Sequence, residues 1–224
     1  MRTFIRTIFR SIAVGALALA VAGCGGEAGA RSHARAVYLL LDTSGTYREE
    51  ISRAQGILGY LLGNLNSGDS LGLARIDSES FSEKDVIARM TFDTRPSHAN
   101  QQKRKFRATV DKYVKTASKS THTDITGGIL QAAEWLNEVG AGRKYILIFS
   151  DLQEDLKKGY VRDFEVNLDN IHVVALNVTK LRTDQIDPRE YLSRLANWEK
   201  RVSKGGGEWK VINDLDRLDG MLAG

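Results

Sequence analysis

Three short clusters in this sequence pair hydroxyl groups with carboxylates. Asp42-Thr43-Ser44-Gly45-Thr46 directly follows the apolar run Val37-Tyr38-Leu39-Leu40-Leu41. Thr123-Asp124 opens a segment of helical period, and Ser150-Asp151 directly follows Tyr145-Ile146-Leu147-Ile148-Phe149. Hydroxyls and carboxylates on loops at strand ends suit a hard, oxygen-preferring cation, Mg²⁺ or Mn²⁺. In such a site Ser44, Thr46 and Thr123 offer neutral oxygens. Asp42 and Asp151 hold coordinated water and balance charge from further out. Each cluster alone also fits a plainer role: Asp42, Ser44 and Thr46 as helix caps, Thr123 as a cap with Asp124 exposed, Asp151 as a turn residue.

The elements that must position these residues can be read from periodicity. The stretch 36–41 is apolar throughout and predicts a buried strand. Residues 47–64 predict a helix, with Ile51, Ala54, Ile57, Leu58, Leu61 and Leu65 on one face. Gly68-Asp69 marks a turn, after which 71–76 and 86–92 predict two strands joined by a polar loop, as an antiparallel pair. Helices follow at 98–117 and 124–139, the second ended by Gly140 and Gly142. Strands are expected at 145–149 and 171–178, while 152–170 shows no clear period. Asp187-Pro188-Arg189-Glu190 opens a further helix with a cap, a proline at its first position and an acid able to reach back to the cap. Gly205-Gly206-Gly207 ends it. A strand at 209–212 and a helix at 215–222, capped by Asn213, complete the chain.

Strands that are almost continuously apolar are expected in a parallel sheet covered on both faces. Their alternation with helices predicts an α/β fold: a doubly wound, mostly parallel sheet with helices on both faces and one antiparallel edge strand. Ligands of such sheets bind beyond the carboxyl ends of the strands, where strand order reverses. If the first and fourth long strands are neighbours, Asp42 and Asp151 meet across that crevice.

These residues resemble the von Willebrand factor A domain, whose metal-ion-dependent adhesion site is written Asp-x-Ser-x-Ser, then Thr, then Asp. The matching positions are Asp42, Ser44 and Thr46, then Thr123, then Asp151, and the resemblance covers 36–224. Thr46 stands where Ser is usual, and Leu152 follows Asp151 where Gly is common. The resemblance implies a binding module rather than an enzyme. Its bound ion stays electron-poor and attracts an Asp or Glu carboxylate of a protein partner. Two other readings stay open. Asp42-Thr43-Ser44-Gly45-Thr46 also looks like the first motif of haloacid-dehalogenase-type phosphatases, with Asp42 as nucleophile. Ser44, however, stands where that motif needs an acid for proton transfer. A domain with a degenerate site, binding through loops alone, is the other.

The first residues read as an address rather than as fold. Arg2, Arg6 and Arg10 precede an apolar run over 12–22 that is too short to span a bilayer. Val21-Ala22-Gly23-Cys24 then resembles the cleavage site of a bacterial lipoprotein. The expected organisation is a signal peptide over 1–23, a lipidated flexible tether over 24–35 beginning at Cys24, and one domain over 36–224. Gly25 after the cysteine implies the outer membrane, facing the periplasm, if the cell is Gram-negative. The cysteine is the only one in the chain, so an intramolecular disulfide is excluded. The formal charge of the chain is +4, three arginines of which fall in 1–23, so the remainder is nearly neutral and carries no overall signature for nucleic acid. Lys103-Arg104-Lys105 with Arg107 reads as a solvated helix face. His122 reads as a solvent-facing loop residue, and Asp77 and Glu79 as parts of a solvated hairpin.

Overall fold

The protein is described by a computed structural model. It describes residues 33–43, 51–116, 120–162, 166–176, 187–213 and 215–223. Ser44 and Thr46, the expected helical residues 47–50, Cys24 and the expected signal and tether up to residue 32 lie outside the described residues.

The described elements are β1 (Arg35–Asp42), α1 (Ile51–Asn64), β2 (Ser70–Ile76), β3 (Val86–Thr91), α2 (Pro96–Thr116), α3 (Ile125–Val139), β4 (Arg143–Phe149), β5 (Ile171–Leu176), α4 (Pro188–Lys204), β6 (Glu208–Ile212) and α5 (Leu215–Ala223). They form one six-stranded sheet in the order β3-β2-β1-β4-β5-β6. All neighbouring pairs are parallel except β2 with β3, which run antiparallel at the edge. The expected doubly wound architecture is therefore the observed one. Strand order reverses at β1, which pairs with β2 on one side and β4 on the other.

Every residue of β1 is buried, because both faces of the strand are covered. Val37, Leu39 and Leu41 point to a core closed by α1, α2 and α5. Ala36, Tyr38 and Leu40 point to a second core closed by α3 and α4. The Tyr38 ring needs a bare backbone beside it: a Cβ on Gly72 of β2 would stand 2.5 Å from the ring. Gly140 ends α3 in the left-handed conformation, with φ 65°.

Several local expectations need correction. The fourth helix is capped as expected by Asp187, whose carboxylate accepts from the Arg189 N–H, but that carboxylate also binds the Arg189 guanidinium at 2.9 Å. Lys103 does not belong to a solvated face. Its ammonium group donates to the Leu65 carbonyl and lies 5.6 Å from the centre of the Phe92 ring, turned onto the protein rather than into solvent. Asp77 is not a solvated hairpin residue either, for reasons that bear on the site below. Trp135 and Trp198 are buried, and Trp209 packs on the second core while partly exposed.

Candidate functional site

β1 and β4 pair in parallel with Leu41 beside Phe149, so Asp42 and Ser150 emerge next to each other at the carboxyl end of the sheet. Asp42 is 2% exposed, and its Oδ2 accepts from the Ser150 hydroxyl at 2.7 Å. The same hydroxyl oxygen accepts from the Leu152 N–H at 3.0 Å. Asp151 is partly exposed, and its Oδ1 accepts from the Gln153 N–H at 2.8 Å, the geometry of an Asx turn.

Helix α4 holds the segment that follows. Arg194 donates to the Asp151 carbonyl at 2.9 Å, and the Trp198 indole to the Leu152 carbonyl at 3.0 Å. Arg201, stacked 4.4 Å from the centre of the Trp198 ring, pairs with Glu154 at 3.1 Å. Spacings of four and three put these side chains on one helix face. Leu152 adopts φ 65°, a conformation that favours glycine, yet its side chain is buried. The departure noted in the sequence, Leu for Gly, is therefore a position of backbone strain compensated by burial and by the indole hydrogen bond. A groove of about 420 Å³ lies between this segment and α4, lined by Gln153, Arg194 and Trp198 among others.

The third cluster reaches the same end of the sheet. Thr123 is buried, and its N–H and carbonyl pair with Asp155 at 2.8 and 3.0 Å. Ser120 donates its backbone N–H to the Thr43 carbonyl at 3.3 Å and its hydroxyl to Asp77 at 2.7 Å. The Asp124 N–H donates to the Asp77 carbonyl at 3.0 Å. The loop 120–124 thus lies against the ends of β1 and β2 and against the stretch after β4. His122 is not simply solvent-facing: its Nδ1 lies 3.0 Å from the Asp155 carboxylate.

Asp124 is not exposed beside a capping Thr123. It is itself the cap of α3, fully buried, accepting from the Gly127 N–H at 2.8 Å and paired with Arg162 at 2.6 Å. The Asp124 hydrogen bond holds the Arg162 guanidinium above its usual pKa. Asp immediately before an apolar helical run is a cap signal that could have been read from the sequence; Arg162 left none.

Beside this loop, Arg75 bridges two carboxylates, Asp77 at 2.7 Å and Asp85 at 3.0 Å. The two respond oppositely. Burial tends to raise Asp77, but bonds from Ser120 and Ser78 and the charge of Arg75 outweigh it, so its pKa falls below the usual value. For Asp85, desolvation outweighs the Arg75 bond and raises the pKa, and its Oδ2 is buried without a hydrogen-bond partner.

Of the five expected donors, Asp42, Thr123 and Asp151 lie on stretches at the carboxyl end of the sheet that are linked through the Ser120–Thr43 and Thr123–Asp155 backbone contacts. Ser44 and Thr46 lie outside the described residues. Among the described residues no group of three His, Cys, Asp or Glu side chains is placed to hold a metal ion. The described oxygen groups here, a buried carboxylate, a threonine and a partly exposed carboxylate, are of the kind that suits a hard divalent ion. Among the described residues no helix is long and apolar enough to cross a membrane.

The chain is similar in fold to several solved structures. One is an aerotolerance-related membrane protein from Bacteroides fragilis NCTC 9343, 12% identical with a TM-score of 0.43, covering 84% of this chain and 96% of that one. Another is a conserved hypothetical protein BatB from Bacteroides thetaiotaomicron, 14% identical with a TM-score of 0.45, covering 85% and 96%. A third is the pilus adhesin SpaC from Lactobacillus rhamnosus GG, 11% identical with a TM-score of 0.46; the match covers 85% of this chain but 29% of the adhesin. No protein-family model and no curated protein matches the chain.

Proposed function

We propose that this is a von Willebrand factor A-like binding module, not an enzyme, that holds a protein partner through a divalent ion at the carboxyl end of its sheet. The observation that supports this most is the buried Asp42–Ser150 contact at 2.7 Å, made where β1 and β4 diverge and where the Thr123 loop arrives. A bound Mg²⁺ or Mn²⁺ would supply a positively charged centre able to accept a carboxylate oxygen from a partner's Asp or Glu. Thr123, Ser44 and Thr46 would offer neutral oxygens to such an ion, and Asp42 and Asp151 would hold its coordinated water. Ser150 fixes the Asp42 carboxylate by donating to one of its oxygens. Neutral hydroxyl ligands would leave such an ion with charge for the incoming acid.

The lipoprotein reading of the first residues belongs to the same proposal. Cys24 carries the lipid at the start of the 24–35 tether, and the domain works in the cell envelope.

The test is thermal unfolding of the detergent-solubilised full-length protein with and without Mg²⁺ or Mn²⁺. An ion that binds only the folded state at a hundred times its Kd stabilises by about 2.7 kcal/mol, a shift of a few degrees. Asp42→Ala should abolish the shift. No shift in the wild-type protein with either ion overturns the proposal.

A further inference from the structure

Arg162 lies in the stretch between β4 and β5, yet its guanidinium reaches the base of α3. Its Nε stands 3.1 Å from both oxygens of Asp124, and its second terminal nitrogen donates to Asp124 at 2.6 Å and to the Ser80 carbonyl at 3.0 Å. The guanidinium also lies 5.4 Å from the centre of the Tyr160 ring. Capping α3 needs only a carboxylate oxygen facing the Gly127 N–H. Full burial of that carboxylate under an arginine from a distant loop is more than a cap requires.

The crowding around Gly127 points the same way. A Cβ there would meet Asp124 Oδ2 at 2.5 Å and the Ser80 carbonyl at 2.7 Å. Asp124, Ser80 and Arg162 therefore close on one another only because position 127 has no side chain. The residue these groups immobilise is the neighbour of Asp124. Thr123 is gripped on one side by the backbone of Asp155 and on the other by Asp124, and both Asp155 and Arg162 come from the same stretch, 152–162.

We propose that Arg162 is a positioning residue of the candidate ion site: through Asp124 it fixes the backbone of Thr123 and so the place where the Thr123 hydroxyl is offered. This rests on the reading of Thr123 as a donor given above. Arg162 touches neither ion nor partner; it makes the donor preorganised, as groups behind a ligand commonly do.

The experiment uses the full-length protein in detergent with Mn²⁺ as the probe. Affinity is read from the paramagnetic resonance signal of free Mn²⁺, and bound water from proton relaxation. Arg162→Gln should weaken Mn²⁺ binding about tenfold and add about one water to the bound ion. Thr123→Val should do the same, and the double variant should bind no more weakly than Thr123→Val alone, because both act on one oxygen. Arg162→Lys, which keeps the charge but not the fork, should fall between wild type and Arg162→Gln, and it carries the test if Arg162→Gln does not fold. Additive losses in the double variant, or unchanged affinity and hydration in the Arg162 variants, overturn the role of Arg162 while leaving the ion site standing. A wild-type protein that takes up no Mn²⁺ overturns the site and this role with it.

Discussion

The two ends of β1 both carry a buried charged residue, and they solve that problem differently. At the amino end Arg35 meets Asp69 in a double hydrogen bond, at 2.7 and 3.0 Å, and its remaining donors go to the carbonyls of Asn64 and Leu222. Asp69 accepts in addition from the N–H groups of Arg35 and Asn66. Two strands and the ends of α1 and α5 are thereby tied by one ion pair whose polar groups are matched within the chain. At the carboxyl end Asp42 meets the neutral hydroxyl of Ser150, on a rim of further hydroxyls. The first arrangement is an ion pair closed inside the fold; the second sets a buried carboxylate against a hydroxyl where two central strands diverge.

The sharpest way to break this comparison is to remove each acid in turn. Asp69→Ala leaves the Arg35 guanidinium buried without its counter-ion and should cost about 3–5 kcal/mol in urea unfolding, with any ion response of the surviving folded protein unchanged. Asp42→Ala removes the acceptor of the Ser150 hydroxyl and should cost about 1–3 kcal/mol without added ion, while abolishing the ion response. Equal stability losses at the two ends would dissolve the distinction.

A finer test lies in Arg75 and its two carboxylates. Asp77 has a lowered pKa in the folded state, so it contributes stability above the unfolded carboxylate value, about 3.9, and loses it as pH falls through the folded value. The stability advantage of wild type over Asp77→Asn should therefore be largest near neutral pH and shrink in acid. Asp85 has a raised pKa, so its contribution is present below the unfolded value and lost as pH rises through the folded one. Asp85→Asn should gain on wild type as pH rises. Unfolding midpoints of the three proteins from acid to neutral pH measure both slopes, and slopes of one sign would contradict the opposed burial and bonding of the two acids.

The smallest effect concerns strain. Among the described residues the non-glycine positions of positive φ are Phe81, Leu152 and Asn170, and the first two lie on loops at the carboxyl end of the sheet. Phe81 has φ 77° and is half exposed. Phe81→Gly should change stability by no more than about 1 kcal/mol, on the stabilising side, in the same urea assay. A clear loss would mean that the ring packs more than its exposure suggests.

The strands of the central sheet were legible because burial on both faces leaves nearly unbroken apolar runs such as 37–41 and 145–149. That the clusters after the first and fourth strands leave the sheet side by side was legible because the strand–helix alternation leaves few places for such loops to go. The stretch 152–162 was not. It has no period, since its course is set by the distant partners Trp198, Arg194, Asp124 and Thr123 rather than by its own sequence. Arg35 was equally hidden: an arginine reads as tether until Asp69, 34 positions away, is found beside it. Lys103 misled for the opposite reason, since three exposed basic neighbours masked an ammonium group turned onto the Phe92 ring.

The contact between Asp42 and Ser150 spans 108 positions of sequence. Local helices and the β2–β3 ribbon can form early in the life of the chain, but the pairing of β1 with β4 waits for closure of that long loop. A chain still emerging, or one caught half-folded, has neither wall of the crevice. The proposed site would thus be complete only in molecules in which β4 has docked beside β1.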